Sequence, residues 1–309
     1  MTLEPTAQPS HLLRGVLFSL LAAALLAATS MLAKLLGNDL YGPPLHPLQV
    51  SAGRFIFAFS ALVVVAPFMK LQFRGAPYRW HFLRSVLGWL GVSCTFAAAA
   101  QMPLAEATAI TFLSPIATMI FAIPFLGEKV GRVRWSAAAV SMVGAFVLIR
   151  PGTDAFQAAA LLALAAALLI GLEMVVIKRL SGNEPAIRIL FINNAFGATI
   201  SLSAATLVWI QPTIQQWGLL ISLGLIMVVA QTCFIQAMKS ADASFTVPFF
   251  YTTLVFAAAY DFGLFGVIPE PMSWLGAAII IAGAVFLAFR EQYLKKKPTL
   301  PMAGTAGEQ

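Results

Sequence analysis

The sequence predicts an all-α integral membrane protein whose ten transmembrane helices form two inverted five-helix repeats. Three observations support this prediction: an apolar composition, an alternation of basic residues between successive loops, and an internal repeat. Of the 309 residues, 60% are hydrophobic and only 10% are charged, whereas roughly 25% of the residues of a soluble domain are charged. Because lipid cannot pair backbone polar groups, each crossing has to be a helix or part of a closed barrel. The apolar runs are continuous and do not alternate with polar residues, which favours helices.

Ten apolar runs follow one another along the chain, and most approach the roughly 20 residues that a spanning helix needs. They are residues 13–36, 48–68, 82–100, 105–126, 135–150, 156–177, 188–209, 216–237, 243–264 and 272–289. Short polar joints separate them and leave no room for a soluble domain. We predict a first repeat at residues 12–150, a second at 155–290, and a flexible cytoplasmic tail at 291–309.

The basic residues alternate between loops. Sixteen Lys and Arg residues fall in the tails and the even-numbered connections, two fall in the odd-numbered connections, and Arg54 lies within a span. By the positive-inside rule, this bias places both termini in the cytoplasm. The net charge of +7 therefore indicates membrane topology rather than nucleic-acid binding.

The two halves of the chain resemble each other. Residues 105–108 (Ala-Glu-Ala-Thr) match 241–244 (Ala-Asp-Ala-Ser), and Trp135–Leu148 matches Trp274–Leu287. Each repeat holds five helices, and because five is odd, the second repeat enters the membrane from the opposite side. Inverted repeats are common in secondary transporters, whose substrate site lies between the halves.

The sequence resembles the EamA-type branch of the drug/metabolite transporter (DMT) superfamily. The first half carries the resemblance in Leu-Ala-Glu-Ala-Thr-Ala-Ile-Thr-Phe-Leu-Ser-Pro at 104–115 and in Phe-Leu-Gly-Glu-Lys at 125–129. The second half agrees at 241–244 and in Trp-Leu-Gly at 274–276. One departure is Gly266-Val267, where the second half of such proteins usually has Gly-Glu. The resemblance covers about residues 12–290 and implies ten helices, two repeats and cytoplasmic ends.

This resemblance implies a secondary transporter that moves a small organic metabolite across the cell inner membrane of a bacterium by alternating access. The aromatic residues of span nine favour a planar metabolite or vitamin, riboflavin-like, or a solute like S-adenosylmethionine. An amino-acid or drug exporter of the same family is an alternative. From other classes, a membrane-embedded enzyme and a non-transporting scaffold remain open. The expected partners are the small-molecule substrate and the lipid bilayer, with no nucleic acid.

Spans four and nine each contain an interior proline, Pro115 and Pro248. Proline frees a carbonyl group and kinks a helix, which lipid tolerates where that group faces a cavity or a neighbouring helix. Hydroxyl and aromatic side chains stand near both prolines and are candidates for the substrate path, although any single phenylalanine could instead pack or face lipid. They are Thr111, Ser114, Phe249, Phe250 and Tyr251.

Charged residues within spans are expensive and often functional. Arg54 could contact an anion, form half of an ion pair, or extend to the interface while supporting packing. Glu173 could carry a proton or meet a cationic substrate group, which would permit proton or ion coupling, or it could pair with Lys178 or Arg179. Asp261 is expected to be an interface residue.

Neutral polar residues complete the candidate path. Asn194 and Gln231 can hydrogen-bond a solute without the cost of a buried charge, and Trp89 is a further candidate. The sequence contains no catalytic constellation, no metal-ligand spacing and no phosphate-binding glycine loop, so we expect no cofactor, no metal and no enzymatic activity.

Cysteine labelling tests the predicted topology. After Cys94 and Cys233 are replaced, we expect Tyr78→Cys in the 70–84 loop to react only with reagents that reach the cytoplasm. Gln211→Cys, in the seventh connection, is the opposite-side control and should react with impermeant reagents. Labelling of Tyr78→Cys from outside would overturn the topology.

Overall fold

A computed structural model describes residues 9–68, 73–127, 132–149, 158–181, 186–240 and 249–296. Within these ranges the regular elements are helices, which confirms the predicted all-α class. The long elements are α1 (Pro9–Leu36), α2 (Pro47–Val65), α3 (Tyr78–Gln101), α4 (Leu104–Thr111), α5 (Ser114–Leu126), α6 (Arg132–Ile149), α7 (Ala159–Ser181), α8 (Ala186–Ala205), α9 (Ile214–Ser240), α10 (Thr253–Phe265) and α11 (Pro271–Lys296). Short 3-10 helices lie at Asp39–Tyr41 and Ala66–Phe68.

The chain is a multi-pass membrane protein. In the described ranges, seven helical segments are long and apolar enough to cross a membrane, and α4 and α5 together count as one of them. Three shorter apolar helices lie at Ala138–Val147, Thr253–Phe265 and Pro271–Gly283. The last helix continues to Lys296 and so includes the start of the predicted tail, whose remainder lies outside the described residues.

The predicted fourth span is broken rather than continuous. Helix α4 ends at Thr111, and α5 begins at Ser114 with Pro115 in its first turn. The break follows from Pro115, which has no N–H to donate and whose ring would clash with the preceding turn of a continuous helix. The corresponding part of span nine has a turn at Tyr251 and Thr252 before α10. Pro248 and the matched stretch 241–244 lie outside the described residues.

Helices α5 and α10 have the same local geometry. Each is 13 residues long and ends at a glycine in the left-handed region, Gly127 with φ 67° and Gly266 with φ 65°. A residue with a Cβ would be strained there, so glycine is the favoured end of both helices.

The principal helix contacts join the first half of the chain to the second. Helix α1 packs on α9, α3 on α7, α2 on α8, and α6 on α11. Small residues allow close approach: a Cβ on Gly144 would lie 2.7 Å from the backbone nitrogen of Ile280 and 2.9 Å from the carbonyl oxygen of Gly276. Such contacts hold helices together where lipid provides no hydrophobic drive.

Substitution of Gly144 tests this packing. We expect Gly144→Ala to lower the melting temperature of the detergent-purified protein, because backbone atoms of α11 cannot move aside as a side chain can. The matched control is Gly263→Ala in α10, where the added Cβ meets open space; it should be neutral or stabilise by up to about 1 kcal/mol through helix propensity. Equal melting temperatures for the two variants would contradict the close contact.

Candidate functional site

A cavity of about 320 Å³ lies between helices α1, α2, α3, α4, α7, α9 and the start of α10. Its wall combines hydroxyl groups, aromatic rings and one cation. The hydroxyl residues are Thr29, Ser30, Thr95, Thr108, Thr111, Ser114 and Thr253. The aromatic residues are Phe96, Phe112, Phe234 and Phe250, and the cation is Arg54.

The breaks in spans four and nine meet beside this cavity. Phe112, at the first break, lines the cavity, and its ring packs edge-on against Tyr251 at the second break, with 5.0 Å between centroids and planes at 88°. Each residue stands fifteen positions before the glycine that ends its span. Two interrupted helices that face each other are a frequent origin of transporter binding sites.

The hydroxyl groups face the cavity as acceptors. Thr111 donates its proton to the carbonyl of Ala107 at 2.9 Å, and Thr95 donates to that of Gly91 at 2.9 Å. Because these protons are engaged within the helices, the oxygen lone pairs remain for a solute. The wall can therefore accept hydrogen bonds from N–H or O–H groups.

The aromatic rings form the apolar part of the cavity wall. Phe250 packs against Phe234 with 4.8 Å between centroids and 51° between planes. Together with Phe96 and Phe112 they give a surface suited to a flat, partly apolar molecule.

Arg54 is buried within the bundle. It is 6% exposed, so it does not extend to the membrane interface. Its guanidinium lies over the ring of Phe55, with Cζ 4.4 Å from the centroid. Its Nη1 finds no hydrogen-bond acceptor among the described residues.

Glu173 pairs with Arg84 of α3, at 3.4 Å between Oε1 and Nη2. Arg84 is not among the partners expected from the sequence. Arg179, one of the expected partners, lies over the ring of Trp80 at 4.2 Å. Arg84 also donates through Nη1 to the carbonyl of Ile189 at 3.2 Å. The contact thereby ties α3 to α7 and α8.

A second buried ion pair lies where α1 ends. Lys34 Nζ meets Asp261 Oδ1 at 2.7 Å, and Asp261 Oδ2 accepts a hydrogen bond from the backbone N–H of Leu104 at 2.5 Å. The prediction of Asp261 as an interface residue is wrong, since it is 0% exposed. The Lys34 ammonium and the free N–H at the start of α4 together compensate the charge of the Asp261 carboxylate. This polar contact joins α1, α4 and α10.

The structure brings some of the predicted path residues together and leaves others aside. The cavity is lined by Phe250, Thr111, Ser114 and Arg54. Tyr251 does not line it but packs against Phe112, which does. The remaining candidates do not line it. Trp89 donates to Ser51 Oγ at 3.2 Å, and Asn194 donates to the carbonyl of Leu190 at 2.9 Å. Phe249 and Gln231 are half-buried away from the cavity wall, and Glu173 forms the ion pair described above.

From the sequence we did not predict that residues of α1 line the cavity. Thr29 and Ser30 line the cavity, and the available signal was two adjacent hydroxyl residues within an otherwise apolar run. Thr253 and Thr95 were also not among the candidates.

These features define a multi-pass helical membrane protein with a solute-sized cavity, whose mostly apolar wall carries several hydroxyl groups and one arginine. The EamA-like transporter family model matches residues 13–150 and 157–289. The chain belongs to this family, which confirms the resemblance found in the sequence.

Curated relatives cover between two thirds and nearly all of the chain. A riboflavin transporter of Rhizobium johnstonii is 31% identical over 94% of this chain and 96% of its own length. An S-adenosylmethionine uptake transporter of Rickettsia bellii is 28% identical over 92% and 96%. A pseudopaline exporter of Pseudomonas aeruginosa is 26% identical over 67% and 73%. Family and relatives together support a small-metabolite transporter.

A solved crystal structure has the same fold. It covers 93% of this chain and 99% of its own, with a TM-score of 0.61 and 19% sequence identity.

The Lys34–Asp261 pair gives a stability prediction. We expect Asp261→Leu to destabilise the protein by about 3–5 kcal/mol, because it leaves the Lys34 ammonium buried without a partner. Lys34→Leu combined with Asp261→Leu should recover much of this loss. Unfolding of the purified protein measures both effects, and the exposed Asp39→Asn is the control. A double variant no more stable than Asp261→Leu would contradict the pairing.

Proposed function

We propose that the protein is a secondary transporter that moves a small planar metabolite across the bacterial cytoplasmic membrane by alternating access. The observation that carries this proposal is the cavity at the meeting point of two interrupted spans, whose wall contains both acceptor oxygens and aromatic rings. The riboflavin and S-adenosylmethionine transporters among the relatives support solutes of this size and shape.

We propose further that ten spans form two inverted repeats, with the first at 12–150 and the second at 155–290. The seven long segments and the three shorter apolar helices would together supply the ten spans. The packing supports a two-fold relation in which each helix of the first half takes the place of its counterpart in the second. Under this relation the contact of α1 with α9 corresponds to that of α7 with α3, the contact of α2 with α9 to that of α8 with α3, and the contact of α5 with α7 to that of α10 with α1. Five spans per half would place the halves in opposite orientations and both termini in the cytoplasm.

Alternating access follows from this arrangement. Helices of one half pack mainly on helices of the other, so a change at that interface would open one end of the cavity while closing the other. The Lys34–Asp261 contact lies at one end of α3, and the Arg84–Glu173 contact lies near the other. From Arg84 to Gln101 the helix rises about 25 Å, so the two polar contacts can hold opposite ends of the path.

Efflux of a metabolite is the second candidate, because the pseudopaline exporter is also among the relatives. Transport measured in both right-side-out and inside-out vesicles separates uptake from export.

Uptake of labelled solutes tests the proposal. In proteoliposomes, we expect saturable flux of riboflavin or S-adenosylmethionine, and we expect Phe250→Ala and Tyr251→Ala to reduce kcat/KM by up to about tenfold through lost aromatic contact. Phe262→Ala is the matched control, because Phe262 lies on α10 and is 60% exposed on the outside of the bundle. Growth rescue of vitamin, amino-acid and nucleobase auxotrophs extends the screen.

Flux equal to that of empty liposomes for every solute, in both vesicle orientations, would refute the transport proposal. Equal losses in Phe250→Ala and Phe262→Ala would refute the role of the cavity.

A further inference from the structure

We propose that the transported solute carries a carboxylate and that Arg54 binds this group inside the cavity. The inference rests on the proposed transport function and narrows its substrate class to a planar or heteroaromatic carboxylate, so that S-adenosylmethionine, which has a carboxylate, becomes the expected kind of solute and riboflavin, which has none, does not. Arg54 becomes the residue that orients the solute and selects for its charge.

The first support is the unfilled donor capacity of Arg54. Its side chain lines the cavity, it is 6% exposed, and within the described part of the chain its Nη1 donates to no acceptor. A buried charged donor left without an acceptor is costly. A carboxylate can accept two parallel N–H bonds from a guanidinium, and these bonds are among the strongest that side chains form.

The second support is the local charge. Glu173 interacts electrostatically with both Arg54 and Arg84, but its ion pair is with Arg84, at 3.4 Å. One carboxylate therefore serves two guanidinium groups. The ring of Phe55 holds the Arg54 guanidinium through a cation–π contact, which does not neutralise its charge. An anionic solute would supply the missing counter-charge in a setting where unpaired charge is expensive.

The third support is the rest of the wall. Thr95, Thr108 and Thr111 give their protons to carbonyls of their own helices, so their oxygens would repel an anion and attract N–H or O–H groups. Phe112 and Phe250 offer ring contacts. The solute is thus expected to place its carboxylate at α2, its ring against the aromatic residues, and its donors toward the hydroxyl oxygens.

A matched pair of probes tests this assignment. Naphthoate and naphthamide share their shape and ring and differ in charge. We expect the full-length protein in lipid nanodiscs to bind naphthoate at least about tenfold more tightly, measured by calorimetry. Arg54→Gln should abolish this preference, and Arg54→Lys should restore part of it, because lysine keeps the charge but not the planar fork.

Two controls separate the role of Arg54 from general effects. Arg179→Gln removes an exposed guanidinium and should leave the preference unchanged. Thr111→Val should leave the preference for the acid intact or increase it, because the acceptor that it removes can bind the N–H groups of naphthamide but not the donor-free naphthoate. If Arg54→Gln does not fold, as judged by its melting curve, Arg54→Lys takes its place: a weaker preference for the acid in this variant supports the assignment, and an unchanged preference contradicts it.

Equal affinity of the wild-type protein for acid and amide would overturn the proposal, as would an unchanged preference in a folded Arg54→Gln variant. If riboflavin crosses the membrane while no acid preference exists, the Arg54 assignment fails and transport stands. If the acid preference depends on Arg54 while no solute crosses, transport fails and the binding assignment stands.

Discussion

Lipid supplies no hydrogen-bond partners, and the placement of polar groups in this protein follows from that constraint. Buried Ser19 and Ser85 donate to carbonyls of their own helices, and buried Ser141 of α6 donates to the carbonyl of Ile280 in α11. Asp261 of α10 is held by Lys34 and by a free N–H of α4. Interruptions of the helices near the cavity, at Phe112 and Tyr251, lie against each other rather than against lipid. Arg54, whose Nη1 has no acceptor among the described residues, belongs to the wall of the cavity, where a solute could supply one.

The molecule separates tight packing from open space. Helices α6 and α11 approach each other so closely at Gly144 that no Cβ fits between them, and neither helix lines the cavity. The cavity is built instead where larger side chains and broken helices keep the spans apart. A rigid pair of helices beside an adaptable site lets the site change shape without loss of the fold.

Hydropathy and charge bias are enough to predict the helical class, because a long apolar run that crosses a membrane has few alternatives to an α-helix. The break at Thr111 could be expected only as a kink, since a proline does not specify whether a helix bends or restarts. The partner of Asp261 could not be predicted, because Lys34 stands 227 positions away in the chain and only packing brings them together. For the same reason the path prediction found residues of α4 and the start of α10 but missed those of α1. For Arg54 the sequence allows an anion contact, an ion pair or an interfacial position that supports packing, and its burial within the bundle favours an internal contact.

The Lys34–Asp261 contact has a consequence for the energy of the transport cycle. Asp261 stands five positions before Gly266, and the equivalent position before Gly127 is Ala122. Under the proposed inverted repeat, the position that matches Asp261 carries a methyl group, and the opposite end of the bundle is held instead by the Arg84–Glu173 pair, at 3.4 Å. The two ends are therefore joined by ion pairs that the repeat does not relate to each other. Opening one end would separate a lysine from a carboxylate and opening the other would separate an arginine from a carboxylate, which would give the two conformations of a nearly symmetric scaffold different free energies.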